Sequence, residues 1–557
     1  MKLTPFAKLF ISLVVVGVVG YLGWHYYGGE LRQKYGGEAG APGTPTGTGG
    51  EGTAVTKGPV TKDDFANLKS TPDPDRRAPL TDLAGSGSLQ GGKLGRKLIV
   101  GINTWAGHAP GVVANLGLDA GRAGAIYKDK YGLDVEFKIL DDPAVKLTAF
   151  SSGEIDIMWD TVDSWANEAS RLAEQGVKGK AIIQQDWSRG GDGIVSLASI
   201  NSVEDLKGKT IATTQFTPSH WLLLYLLSQS GLSPADKAEI EKKLVFTKEA
   251  PLAAAAFKAK RVDAAVTWEP DLSLAVKARG DEAHILVSTA AATNVIADCL
   301  VARQDLIDKA PETLRDFVHG WFDGIDFMAK DPAQSYEVVA RALKLSADDV
   351  SGMLSGLKLT PFADNAVFFG LTGQKPQFDT LFDTAFVVWR KQGVISKVVE
   401  AKDHRDDRFV RALSDLYKSQ KVVETFKFDP GKAKEEANKR AIVNKSLTIY
   451  FTPGSDEILA GSYFTLDSLG DTMTAFGNTY LRIEGNTDAT GSSKKNLELS
   501  ERRAVAVKKY LTQHFNIPPE RFQTVGKGSA DPVASNATEA GRQQNRRTDI
   551  KVVLNVQ

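Results

Sequence analysis

Between Gly36 and Gly58 the chain is dominated by Gly, Thr, Pro and Ala, a composition that cannot bury enough apolar surface to fold. This one segment divides the molecule. The part on its N-terminal side must be stable by itself, and the part on its C-terminal side must fold as separate globular units. The 557 residues leave room for several such units.

The N-terminal part has the character of a membrane anchor. From Leu9 to Tyr27 every residue is apolar, glycine or aromatic except Ser12 and His25. As a helix this stretch spans roughly 28 Å, close to the hydrocarbon thickness of a bilayer. Lys2 and Lys8 lie before it, and Trp24, Tyr26 and Tyr27 crowd its far end. Positive charge before the span predicts a cytoplasmic N-terminus with the bulk of the chain outside. A cleaved signal peptide is the competing reading, but no small-x-small site ends the run. Residues 1–27 are therefore expected to form a single-pass transmembrane helix in the inner membrane, and residues 28–92 a flexible tether. At ~65 residues that tether has a root-mean-square reach of roughly 40–50 Å.

Composition excludes several classes of function. Lys+Arg and Asp+Glu are both 68, so no global charge favours nucleic acid. The single cysteine, Cys299, sits in an apolar run and reads as a buried thiol. The seven histidines show no metal-ligand spacing, and Ser188 to Gly193 lacks the Lys-Ser/Thr of a phosphate loop. Neither catalysis nor a cofactor or metal is expected.

Folded sequence begins near Lys97-Leu98-Ile99-Val100-Gly101-Ile102, and apolar strands then alternate with helical stretches to about Tyr417. That alternation predicts an α/β unit with a largely parallel sheet. Residues 418–446 are charged and read as a linker or connecting helix. The final segment predicts a compact α+β domain over 447–557. Its strands are expected at Leu447–Phe451, Tyr480–Glu484, Phe522–Val525 and Thr548–Leu554. Its helices carry Leu466, Leu469, Met473 and Phe476 on one face, then run from about Lys495 to Phe515.

In this last domain Asp488 follows a strand end and Arg503 lies on the next helix. A carboxylate accepts from an ammonium and a guanidinium forks onto a carboxylate, so the pair suits a free amino-acid centre. The plainer reading is a weak surface ion pair. Several blocks occur in order: Gly485, Thr487 and Asp488; Asn496; Leu499-Ser500; Arg503-Ala504; Gly526-Lys527-Gly528; and Asn545-Arg546-Arg547. With them the segment resembles the OmpA-like peptidoglycan-binding domains. The resemblance implies that Asp488 and Arg503 hold the diaminopimelate of the peptidoglycan stem, with Asn496 as a loop-organising or secondary contact and Thr487 as a further peptidoglycan-binding residue. Arg502, Arg546 and Arg547 read as solvated or structural.

Residues 93–417 are similar to ABC-transporter periplasmic solute-binding proteins of the nitrate/sulfonate/taurine and thiamine-precursor class. The similarity rests on Gly101–Pro110, Ser152–Ile157, Ser202–Lys209 and Val262–Pro270. It implies a two-lobed periplasmic-binding-protein fold closing over a small molecule. Ligands in open α/β sheets bind beyond strand C-termini. The candidate ligand-binding residues are therefore Trp105, His108, Trp159, Asp160, Thr161, Trp187, Thr214, Ser219, Trp268 and Glu269. Some of these tryptophans are expected in the core, and His108 reads more readily as packed. Trp165, Trp221 and Trp321 are assigned to packing. Ligand charge stays open: Thr214, Ser219 and Arg189 favour an anion, whereas Asp160, Asp186, Asp192 and Glu269 repel one.

The expected partners are peptidoglycan, a small-molecule solute, the inner membrane and a membrane protein such as a transporter permease. The expected role is a tethered transport receptor or a sensor. A structural, stator-like scaffold with a vestigial cleft is the alternative, and an enzyme built on a binding-protein fold is a further one.

Overall fold

The computed structural model describes residues 92–554, with breaks at 396–397, 424–425, 429–440, 442 and 453, and the short stretches 56–57 and 89–90. The expected membrane anchor and most of the expected tether and linker lie outside the described residues. Among the described residues no helix is long and apolar enough to cross a membrane.

Two six-stranded sheets build the central part. In the first, the strands run in the order β14 (Leu357–Leu359), β7 (Gly179–Ser188), β13 (Ala297–Arg303), β6 (Ile157–Thr161), β4 (Leu98–Ile102) and β5 (Val135–Ile139). The second orders β1 (Thr56–Lys57), β10 (Leu244–Thr247), β9 (Ile211–Thr214), β11 (Ala264–Trp268), β8 (Asp192–Leu197) and β12 (Ala283–Ser288). A short hairpin, β2 (Leu89–Gln90) with β3 (Lys93–Leu94), precedes the first sheet.

The sheets are mixed rather than largely parallel. β4 runs parallel to β5 and β6, and β9 parallel to β10 and β11. β13 is antiparallel to β6 and β7, and β8 antiparallel to β11 and β12. The reason is connectivity. The chain passes from the first sheet to the second between β7 and β8, and returns between β12 and β13. A strand entered from the other sheet need not keep the direction that a helical crossover imposes.

The core is apolar on both faces of these sheets. Helix Pro218–Gln229 is buried at every position from Pro218 to Leu227, which fits its sequence of leucines and aromatics with no polar face. Trp165, Trp221 and Trp321 are fully buried, in keeping with a packing role. Cys299 is buried on β13, and burial pushes its thiol well above the usual range.

The C-terminal sheet runs β15 (Val443–Leu447), β18 (Thr548–Leu554), β16 (Thr479–Asn486), β17 (Phe522–Gly528). β16 and β17 are parallel and joined through helix Ser493–Phe515; β18 is antiparallel to β16 and β15. That helix buries Asn496, Ser500, Ala504, Val507 and Leu511, spaced by fours and threes. Gly485 permits its close approach: a Cβ there would lie 2.1 Å from the Ser500 carbonyl oxygen. In helix Tyr463–Ala475 and just beyond it, Leu466, Leu469, Met473 and Phe476 are buried on one face, as their spacing predicts.

The first strand of this sheet lies four residues earlier than expected. β15 ends at Leu447, and Phe451 instead forms an isolated bridge with Ile458. Its ring is taken by Arg503, whose guanidinium sits over it at 4.8 Å.

The C-terminal domain rests on the second lobe. Lys445 Nζ and Thr472 Oγ1 both donate to Gln229 Oε1, at 2.8 and 3.1 Å. Tyr225 packs against Phe476 with ring centroids 6.1 Å apart.

Candidate functional site: two unlike cavities

The first cavity lies between the two central sheets, where three register pairs bring together groups far apart in sequence. On β13 Asp298 faces Thr161 of β6 and Asp186 of β7, and on β8 Asp192 faces Trp268 of β11. The cavity, with an empty volume of about 350 Å³, is lined by Asn103, Trp105, Trp159, Thr161, Asp192, Pro218, Trp268, Ile296 and Asp298. Three tryptophans thus form its walls and two carboxylates line it. Among the described residues, no lysine, arginine or histidine does so.

Each wall is held from behind. Trp105 Nε1 donates to Asp186 Oδ2 at 3.3 Å. Gly107 makes room for that carboxyl, since a Cβ there would fall 1.8 Å from Asp186 Oδ2. Trp159 Nε1 donates to the Leu140 carbonyl at 3.0 Å, and Lys146 Nζ lies 4.4 Å from the centre of the Trp159 ring. Lys146 is itself buried and pairs with Glu168 at 2.7 Å and Asp160 at 3.6 Å. Ser188 Oγ donates to Asp192 Oδ2 at 2.7 Å and meets Thr289 Oγ1 at 2.8 Å.

The buried acids crowd one another. Burial raises Asp192 to about 7, with Glu269 adding to the effect while the Ser188 hydrogen bond opposes it. Burial likewise raises Asp186 to about 8 and Asp163 to about 7. Asp298 is pushed well above the carboxylate range by burial and then by Asp186, Asp192 and Asp163. Burial and mutual repulsion therefore bias these acids toward their protonated forms.

Of the ten residues proposed from the sequence, Trp105, Trp159, Thr161 and Trp268 line this cavity. The other six do not. Trp187 lies within β7 and packs edge-on against Phe368 at 5.9 Å. His108 is buried behind the wall, with its ring nitrogens 2.6 Å from Asn103 Oδ1 and 2.7 Å from Gln185 Nε2. It supports Asn103, and burial lowers its pKa to about 3. Asp160 turns to Lys146, Thr214 meets Thr247 at 3.1 Å, and Ser219 is buried in the first turn of its helix. Glu269 accepts from Ser273 Oγ at 2.6 Å. Trp159, Asp160 and Thr161 belong to β6 itself, not to a loop beyond it.

Sequence reasoning missed Asp298 and Asn103 as cavity residues. Asp298 was masked by the apolar run around Cys299, and only strand register reveals what it faces.

The second cavity lies on the C-terminal domain, with an empty volume of about 720 Å³. Its lining includes Tyr450, Phe451, Asn486, Gln543 and three arginines, Arg503, Arg546 and Arg547. Asp488 stands beside it, in the loop after β16. Its Oδ1 accepts from the Thr490 N–H at 2.8 Å and its Oδ2 from Arg546 Nη1 at 2.6 Å. Burial works to raise this carboxyl, but the bonds from Arg546 and Thr490 outweigh it and hold it below the usual range. Asn496 Nδ2 donates to the carbonyls of Asp488 and Thr490, at 3.2 and 3.1 Å, and Thr487 Oγ1 donates to the Asp488 carbonyl at 2.9 Å. Both therefore shape the loop.

Arg503 does not pair with Asp488. Its Nε donates to the Ser455 carbonyl at 3.0 Å, and burial together with the neighbouring Arg546 lowers its pKa. Arg546, read from the sequence as solvated or structural, is the residue that grips Asp488, with Glu539 at 2.7 Å on its other side. Arg547 is likewise held, by Asp549 at 3.0 Å, so of the three guanidiniums Arg503 is the one bonded to a carbonyl instead of a carboxylate.

The OmpA family model matches residues 450–546, and the NMT1/THI5 like model matches residues 127–335. The chain is 36% identical over 111 residues to outer membrane porin F of Pseudomonas aeruginosa, covering 20% of this chain and 32% of that protein. It is 36% identical over 121 residues to the peptidoglycan-associated lipoprotein of Pseudomonas putida, covering 22% of this chain and 69% of that one. The chain thus spans about a third of the porin's length and about two thirds of the lipoprotein's. Among solved structures it is similar to the periplasmic aliphatic sulphonate binding protein SsuA of Escherichia coli, at TM-score 0.44 and 17% identity, over 57% of this chain and 99% of that one. The C-terminal domain of this chain belongs to the OmpA family, and it is joined to an NMT1/THI5-like solute-binding domain.

Proposed function

We propose that this protein is a solute receptor fixed to the cell wall. The observation that carries the reading is the presence of two differently lined cavities: an arginine-lined one beside Asp488 on the OmpA-family domain, and one walled by tryptophans and acids between the central sheets. In the arginine-lined cavity Arg503 and Arg546 take a carboxylate of the peptidoglycan stem, and Asp488 takes the adjacent ammonium. Such a zwitterion meets both charges at once, whereas a simple anion meets only the arginines. The name of the Pseudomonas putida relative, a peptidoglycan-associated lipoprotein, agrees with this assignment.

The acidic cavity holds the solute. Concave, aromatic walls with a few convergent polar groups are the usual make-up of a small-molecule site. Both domains act by binding rather than turnover, and the N-terminal segment Leu9–Tyr27 anchors the assembly in the inner membrane, where a permease or another membrane protein receives the signal. A sensing role is favoured by one contact: the C-terminal domain touches the segment that returns the chain from the second sheet to the first, through Asn294. Closure of the lobes then shifts the wall-bound domain.

The test is co-sedimentation of the full chain with purified sacculi, together with mass spectrometry of the small molecule that accompanies it on purification. Retention that depends on Asp488 and Arg503, and recovery of an unmodified small molecule, are the expected results. Retention unaffected by both substitutions removes the wall assignment; a chemically converted molecule removes the assignment of binding without turnover.

A further inference from the structure

The charge of the solute was left open by the sequence, and the cavity decides it. Of the three groups that would favour an anion, Arg189 and Thr214 are bonded elsewhere, and Ser219 does not line the cavity. Arg189 donates to Asn294 Oδ1 at 3.2 Å and lies over the Phe426 ring at 4.8 Å. Thr214 is bonded to Thr247, and Ser219 does not reach the wall. The N-terminus of helix Pro218–Gln229 does reach it, but through Pro218, which has no N–H to offer an anion. Lys146 is behind Trp159 and already holds Glu168 and Asp160.

The groups facing the cavity are acidic and aromatic. Asp192 and Asp298 line it, and Asp298 has the carboxyl of Asp186 as its neighbour across the strands. Two carboxyls in contact ionise together only when a cation joins them. Thr161, on the same wall, is buried, and its hydroxyl turns to Asp163. The faces of Trp105, Trp159 and Trp268 carry the negative side of the ring quadrupole, which attracts a desolvated cation.

We infer that the cleft takes a compact organic cation, an ammonium or guanidinium type, boxed by Trp105, Trp159 and Trp268 with Asp192 and Asp298 as its counter-charge. This rests on the reading of the central domain as a solute-binding unit. It assigns a ligand of opposite sign to a sulfonate.

The test uses the full chain and a charge-matched panel: choline, tetramethylammonium and methylguanidinium as cations, the uncharged dimethylbutanol isostere of choline, and ethanesulfonate. Binding is read by tryptophan fluorescence and by the shift in melting temperature. At least one cation should bind at least tenfold more tightly than the uncharged isostere and ethanesulfonate. Asp192→Asn and Asp298→Asn should each weaken it at least tenfold while leaving the far-ultraviolet circular dichroism intact. Equal binding of the uncharged isostere, or binding of ethanesulfonate alone, overturns the charge assignment and leaves the solute-binding reading standing. Silence of all three cations overturns the assignment too. The solute-binding reading is then judged separately by the small molecule that co-purifies.

Discussion

The main-chain N–H of Asn294 donates to the carbonyl of Ala475 at 3.1 Å, and its side-chain Nδ2 donates to the carbonyl of Thr474 at 3.0 Å. Asn294 lies on one of the two passages between the central sheets. Its Oδ1 accepts from Arg189, which lies on the other. One side chain therefore ties both passages to the OmpA-family domain.

Asn294→Ala removes the two side-chain bonds, each of about 1 kcal/mol. Hydrogen exchange should rise together at residues 289–294 and 472–478, with little change in the sheets. An increase confined to one side would contradict a shared contact.

The crowded acids of the cleft give a pH dependence with a definite sign. Asp186, Asp192, Asp163 and Asp298 have raised pKa values in the folded chain, so the folded state keeps protons that the unfolded state releases. Their contribution to stability is greatest below the ordinary carboxylate pKa and is lost as pH rises from about 4 to about 8. The groups around them are Asp160 on β6, Glu269 after β11 and Lys146 behind Trp159. Of these, Lys146 alone is positive, and it is already paired. Asp298→Asn should therefore raise the melting temperature of the unliganded protein at pH 8, with the gain shrinking toward pH 5. A loss of stability at pH 8 would show that the carboxylate holds the fold and not the ligand.

Lys146 is buried with Glu168 and Asp160, and its removal leaves two buried acids without a counter-charge. Lys146→Met should cost about 3–5 kcal/mol in urea unfolding. Adding Glu168→Gln should recover part of that cost. A cost below about 1 kcal/mol for the single variant would mean that these acids are neutral without the lysine.

Much of the architecture was legible because it is written in local periodicity. The buried face of Leu466, Leu469, Met473 and Phe476 comes from spacing, and helix Pro218–Gln229 covers most of the helical stretch expected over Trp221–Ser230. Trp105 and Trp268 are legible because they stand within recognisable blocks, Gly101–Pro110 and Val262–Pro270. Contacts between distant parts of the chain were not legible. Strand register brings Asp298 opposite Asp186, and no local pattern reveals that. Trp187 is a cleft candidate in the sequence, yet it lies within β7 and its ring packs on Phe368, in a helix far along the chain. Arg546 is 58 residues from Asp488, and beside Arg547 it resembled any solvated basic pair. Phe451 was drawn into a strand by its apolar neighbours, although its partner is the Arg503 guanidinium.

The most direct test of a wall-fixed receptor is sedimentation of the full chain with purified sacculi, comparing the native sequence with Asp488→Ala, Arg503→Ala and Arg546→Ala. The account predicts that the native chain pellets with the sacculi and that Asp488→Ala and Arg503→Ala stay in the supernatant. Arg546→Ala should reduce retention, since that residue both lines the cavity and holds Asp488. Undiminished pelleting of all three variants would contradict it.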